Sequence, residues 1–213
     1  MRYIKKNSPP PSLQEYKRKT AASYNEMDAD VMKDLQKSLL DEQKGVCAYC
    51  QQKLKKDFTI EHHCERSICN GKDGKPDRTM DYTNLFAVCD GKGVEDTHCD
   101  TKKSEFSIKN GLPMELIPTN KAHNQTIRYS SNGIIESTNE KFDNELSKLL
   151  NLNIDYLKDL RRIKWINIYK NSKDKTGKFN KNKMRKIIES ELLEKPFADS
   201  FPGLSEFMLG KFC

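Results

Sequence analysis

The chain has 213 residues, 32% charged and 35% hydrophobic, with a formal net charge of +7 and a mean hydropathy of −0.85. That length suits one domain, or a small domain with an extension, and no stretch approaches the roughly 18 apolar residues of a membrane span. The opening MRYIKKNSPPP carries charge but no apolar stretch, so a signal peptide is not expected and a cytoplasmic location is. The basic balance, with a pI near 8.9, favours an acidic partner such as nucleic acid.

In chain order, residues 1–12 are basic and then proline-rich, which predicts an extended arm, a docking segment or loose tail leading to a helix capped near Ser12. Val31, Leu35, Leu39 and Leu40 recur at helical spacing and predict an amphipathic helix from Asp28 to about Lys44 that delivers the chain to Cys47. Short apolar runs at Phe58–Ile60 and Leu85–Val88 are separated by glycine-rich loops at 70–76 and 90–94. A hairpin is predicted over Thr126–Tyr129 and Ile134–Glu136, turned at Asn132-Gly133. Leu146, Leu149 and Leu150, then Leu157, Leu160 and Ile163, then Met184, Ile187 and Ile188 mark three further helices. Lys173 to Lys186 is a basic run, read first as a solvated face and second as a phosphate contact. The segment from Phe197 to Cys213 is expected to pack back or to meet a partner. The organisation expected is an arm with helices over 1–45, a core over 46–118, and a hairpin with a helical region over 119–213.

Seven cysteines without an export signal favour metal ligation over a disulfide framework. Cys47-Ala-Tyr-Cys50 is a half-site, and Cys89 and Cys99 complete a set of four thiolates that would close a tetrahedral structural zinc site. A redox pair is the alternative for CAYC, but the motif ends a helix rather than starting one. Cys64 and Cys69 read as spare thiols. Between and beside the zinc half-sites lie Glu61, His62, His63, Asn84, His98, Asp100 and Lys103. A neutral imidazole can take a proton from water near pH 7, and a hard cation such as Mg2+ favours carboxylate oxygens. Each of these residues alone has a plainer reading as a structural histidine or surface carboxylate.

The ordered set CAYC, IEHH, TNLFAVC, HCDTKK resembles the HNH nuclease family. That resemblance implies an α+β protein, mainly helical, with a small zinc-stapled ββα-metal core and endonuclease activity on nucleic acid, DNA ahead of RNA. Glu61 would be a ligand of the catalytic divalent cation, His62 the general base, Asn84 the residue orienting that base through its backbone, and Asp100 the second ligand. Lys103 would face the phosphate. A shift by one residue would make His62 a ligand and His63 the base, and His98 competes with Asp100 for the last metal position. The insertion between Cys89 and Cys99 departs from the family's usual knuckle.

MRYIKK, the proline arm, EQKGVCAYC and the Leu150–Asn153 segment extend the likeness to the PtuB-type HNH subunits of Septu and retron-associated anti-phage systems. This implies an ATPase partner of the PtuA type and, in some systems, a reverse transcriptase with its DNA–RNA product. No membrane is implied. The competing reading is a non-catalytic zinc module that binds nucleic acid or protein, with a thiol oxidoreductase built on CAYC as a weaker third.

Overall fold

Residues 1–55, 57–72, 74–92, 96–110, 114–193 and 199–213 are described by the computed structural model. The architecture is α+β, in which helices predominate and the described residues form two two-stranded antiparallel sheets.

The arm is tied into the body of the chain. Met1 and Ile4 are buried, the Ile4 N–H donates to Pro118 O at 3.0 Å, and the Lys6 ammonium meets the buried Glu42 carboxylate at 2.6 Å. Helix α1 (Pro11–Tyr16) begins at Pro10 and Pro11, where a missing N–H costs nothing. Ser12, expected to cap this helix, lies inside it, and its buried hydroxyl has no hydrogen-bond partner. Helix α2 (Ala29–Gln43) buries Val31, Leu35, Leu39 and Gln43, one per turn, which is the single apolar stripe that its sequence dictates. It ends where Lys44 turns left-handed and Gly45 donates back to Leu40 O at 2.9 Å, an αL stop. The last side chain of α2, Gln43, bonds both the N–H and the C=O of Ala87, standing in for a third strand.

Strands β1 (Thr59–His62) and β2 (Leu85–Val88) pair antiparallel, with Glu61 opposite Phe86 and His62 opposite Leu85. Alternation along a strand separates two faces. Ile60, Leu85 and Ala87 pack into a cluster with Leu13, Tyr16, Leu35 and Leu39. Phe86 and Val88 belong to a larger cluster that runs from Met1 through Cys47–Cys50 to Met208. His62 therefore stands on the α1–α2 side and Glu61 on the side taken by α3 (Cys99–Asn110).

After α4 (Lys121–Gln125), β3 (Ile127–Tyr129) pairs with β4 (Ile135–Ser137), close to the predicted hairpin. Gly133 turns it at φ +87°, and a Cβ there would come within 1.9 Å of Lys158 O, so only glycine fits. Helix α5 (Glu140–Asn144) continues into a π-helical turn at Glu145–Leu149, and α6 (Asp155–Asn171), α7 (Lys181–Leu193) and α8 (Pro202–Phe212) follow. The chain's last helix packs back, burying Leu204 and Met208; Phe197, also expected in that segment, lies outside the described residues. No described helix is long and apolar enough to cross a membrane.

Candidate metal centre and active site

The CAYC knuckle is a tight turn. Cys47 donates its N–H to Gln52 O at 2.9 Å, Gln51 returns one to Cys47 O at 3.1 Å, and Gln51 takes a left-handed φ of 64°. Cys89 follows β2 directly and its N–H points at the Cys47 sulfur, 3.5 Å away. The glycine-rich insertion does not separate Cys89 from Cys99, because His98 N–H donates to Gly91 O at 2.9 Å and Lys92 bridges Thr97, closing the excursion at its base. A Cβ on Gly91 would lie 1.6 Å from His98 O, so the closure requires glycine.

The four sulfurs of Cys47, Cys50, Cys89 and Cys99 all lie within 4.8 Å of one another, with Cys47–Cys99 at 3.9 Å and Cys50–Cys89 at 3.6 Å. A tetrahedral zinc with Zn–S near 2.3 Å has an S–S edge of about 3.8 Å, so the donor set fits that ion. Burial opposes charge on Cys47, yet hydrogen bonds from the other three thiols hold it well below its ordinary value, while Cys99 is pushed up by burial. A divalent cation is what allows all four to ionise together. Among the described residues this is the one group of three or more His, Cys, Asp or Glu able to hold a metal.

His98, a candidate for the catalytic cation, belongs to this thiol cluster: its Nδ1 is 3.2 Å from the Cys99 sulfur. It lines a cleft of about 910 Å3 with Cys89, Asp90 and Tyr156, and neither Glu61, His62 nor Asp100 borders that space.

The acid–imidazole site lies where β1 meets the start of α3. Glu61 and Asp100 are within hydrogen-bonding reach of each other, and burial, helped by Asp100, pushes the Glu61 carboxyl up to about 8 despite the pull of Lys103. The Lys103 ammonium meets Glu61 Oε1 at 2.6 Å, Glu65 Oε1 at 3.3 Å and His62 O at 3.2 Å. Expected to face a phosphate, it is instead only 1% exposed and anchors β1 to α3.

The two histidines diverge. His62 sets Nε2 against Thr79 O at 2.8 Å and packs edge-on to Tyr24, with ring centroids 4.5 Å apart. A carbonyl only accepts, so Nε2 carries the proton. Burial lowers the ring's pKa to about 4, leaving a neutral imidazole with its lone pair on Nδ1. His63 sits near Phe86, the cross-strand partner of Glu61. Its two buried ring nitrogens make no hydrogen bond of ordinary geometry, although the Met114 backbone is close, and burial lowers its pKa to about 3.

Asn84 clamps the segment after β1. Its Oδ1 accepts from Cys64 N–H at 2.7 Å, its Nδ2 donates to Cys64 O at 2.9 Å and Arg78 O at 3.1 Å, and its own carbonyl accepts from His63 N–H.

The structure thus joins Glu61, Asp100 and Lys103 directly, with His63 beside Lys103 and His62 on the opposite face of the strand end. Two features were missed in the sequence. Tyr49, inside CAYC, is fully buried with a hydroxyl that has no partner, and Glu61, Cys47, Cys99 and Asp100 are among its charged neighbours, so it stands between the thiol cluster and the carboxylates. Its position between two ligands of one knuckle was the available signal. Cys64 and Cys69, read as spare thiols, form a disulfide; a spacing of five carries no distinctive signature, whereas CxxC does. No family model matches the chain, and no curated protein matches it.

Proposed function

We propose that the chain is a metal-dependent HNH-type endonuclease that hydrolyses phosphodiester bonds in nucleic acid, DNA first and RNA as the second substrate to test. The observation that carries this reading is a buried carboxylate pair, Glu61 and Asp100, on one face of a strand end whose other face carries His62, a neutral imidazole held by a backbone carbonyl through one ring nitrogen. His62 Nδ1 accepts the proton of the attacking water, for which a neutral ring is required. The Thr79 carbonyl fixes its tautomer, and Lys103 holds the His62 backbone and the Glu61 carboxylate in register. Glu61 and Asp100 are the hard oxygen donors for a divalent cation such as Mg2+, and the Tyr49 hydroxyl and His63 nitrogens are further buried groups still in need of partners. When bound, such a cation stabilises charge on the leaving oxygen.

Within this reading the chain is the effector of an anti-phage complex, working with a PtuA-type ATPase and, in retron-associated systems, with a reverse transcriptase and its DNA–RNA product. The support for these partners is the motif order and its flanking segments alone.

One observation favours the second reading, a non-catalytic zinc adaptor. Lys103 already offers Glu61 a cation at 2.6 Å, so the pocket is balanced without an added ion. Purified chain, alone and with its ATPase partner, given plasmid DNA and RNA with Mg2+ or Mn2+, separates the two. Cleavage that is lost in Glu61→Gln and His62→Ala supports the nuclease. Binding of nucleic acid without cleavage under any of these conditions supports the adaptor.

A further inference from the structure

The loop after the two histidines is covalently closed, and the closure reaches the His62 ring. Cys64, two residues past His62, is joined to Cys69 by a disulfide. Its backbone N–H and C=O are both held by the Asn84 amide. The Cys69 carbonyl accepts the Arg78 N–H at 2.9 Å, the Arg78 carbonyl accepts from the same Asn84 amide, and the next residue, Thr79, supplies the carbonyl that fixes His62 Nε2. A circuit therefore runs from the His62 backbone through Cys64, the S–S bond, Cys69 and Arg78 to the group that orients the His62 ring. The same loop sets Glu65 on Lys103. It also sets Arg66 on Asn25 and over the Tyr24 ring, the ring against which His62 packs.

We propose that the Cys64–Cys69 disulfide is a positioning bond for the His62 imidazole, and that its reduction by a cellular dithiol turns the site down. The proposal rests on the nuclease reading for its consequence and on the circuit for its geometry. Cross-linking holds Cys69, and with it Arg78 and Thr79, covalently to the strand end; without it, hydrogen bonds alone, from Asn84 to the Arg78 carbonyl and from Thr79 to Asp77, set where the Thr79 carbonyl lies. In reducing compartments, disulfides are chiefly redox-sensing or catalytic. The exchange balances: a thiolate of the dithiol attacks one sulfur and breaks the S–S bond. The dithiol's second thiol then displaces the remaining cysteine, so the pair gains two electrons and two protons and the reductant leaves as its own disulfide. Arg66 and Ser67, inside the loop, are exposed, and each cysteine keeps 8% of its surface.

The test compares the zinc-loaded full chain, oxidised and treated with dithiothreitol, with zinc content shown equal in both. Long-range 1H–15N spectra of the histidine rings, recorded without Mg2+, are expected to show one Nε2–H tautomer for His62 in the oxidised form and a mixed population after reduction. Cleavage is expected to lose at least about tenfold in kcat with KM changed less than about twofold, the pattern of a group that acts on the chemical step. Cys64→Ser/Cys69→Ser should match the reduced form and ignore dithiothreitol. Identical ring spectra and kcat in both forms, or a double variant that still responds to the dithiol, would overturn the proposal. A shifted ring in a chain that never cleaves upholds the positioning bond and refutes the nuclease reading, whereas cleavage indifferent to redox state refutes the bond and leaves the nuclease standing.

Discussion

The thiol cluster and the acid–imidazole pocket share walls, yet they are stabilised in different ways. Cys47, Cys50, Cys89 and Cys99 are four like groups packed around a common centre, with the Arg161 guanidinium near enough to interact electrostatically with Cys50 and Cys99. In the pocket a buried cation of the protein's own, Lys103, meets Glu61 and Glu65, and what remains unsatisfied is neutral: the Tyr49 hydroxyl and the His63 nitrogens. The first arrangement is a donor set that could hold a metal ion such as zinc. The second has an ion pair of its own and keeps buried polar groups without partners. Tyr49 and α3 couple the two, because Cys99 and Asp100 are consecutive residues at the start of that helix.

That contrast can be broken most sharply at the thiols. If the four thiols hold a structural zinc, Cys50→Ser or a chelator removes an ion whose apparent binding energy is on the order of 10 kcal/mol. The variant is expected to be insoluble or unfolded by circular dichroism, and soluble, folded, zinc-free protein would show that the cluster is not structural. The pocket's internal balance comes next. Lys103→Met removes the cation beside Glu61 and Glu65 and is expected to cost up to about 3–5 kcal/mol in urea unfolding above pH 8, where the Glu61 carboxyl ionises in the parent, and less at pH 7; part of the loss should be restored by Glu61→Gln in the double variant. Equal stability of Lys103→Met and the parent would mean that the ion pair does not hold β1 to α3.

A smaller effect separates the histidines from the zinc. Both have folded pKa values, about 4 for His62 and about 3 for His63, below the unfolded value near 6.5. The unfolded chain therefore takes up their protons first. Stability is complete above pH 6.5 and falls progressively as pH drops toward 4 and then 3. Acid also weakens thiolate–zinc bonds, so the informative quantity is the difference between the parent and His63→Phe, whose stability should fall less steeply below pH 6.5. Parallel curves would remove His63 from the balance. The least perturbing check is a thiol count. Cys213 alone should react readily in the zinc-loaded chain, and five thiols, Cys47, Cys50, Cys89, Cys99 and Cys213, should react after chelation without reductant. Seven would mean that Cys64 and Cys69 are not joined.

Much of the frame was legible in the sequence because it rests on periodicity and strong local signals. The stripe Val31, Leu35, Leu39 fixes one face of α2, Asn132-Gly133 marks the β3–β4 turn, and CxxC announces the knuckle. What escaped depends on contacts between distant segments. The arm is read from its prolines and lysines as a docking segment or loose tail, and Lys6 is held by Glu42, thirty-six residues away. Lys103 is expected from the resemblance to face a phosphate, yet the start of α3 turns it inward to Glu61. His98 lies one residue from Cys99 and two from Asp100, and its contact with the Cys99 sulfur goes with the closure onto Gly91. The divergence of the His62 and His63 rings turns on the strand end and on Thr79, whose carbonyl no side-chain pattern reports.

The most direct test is cleavage of supercoiled DNA in Mg2+ by the parent and by His62→Ala, each with and without the proposed ATPase partner and each shown to bind the same amount of zinc. Nicking or cutting by the parent, with a loss of about 10²–10⁴-fold in rate for the variant, is the predicted result. Equal cleavage by the two zinc-loaded proteins would contradict the account.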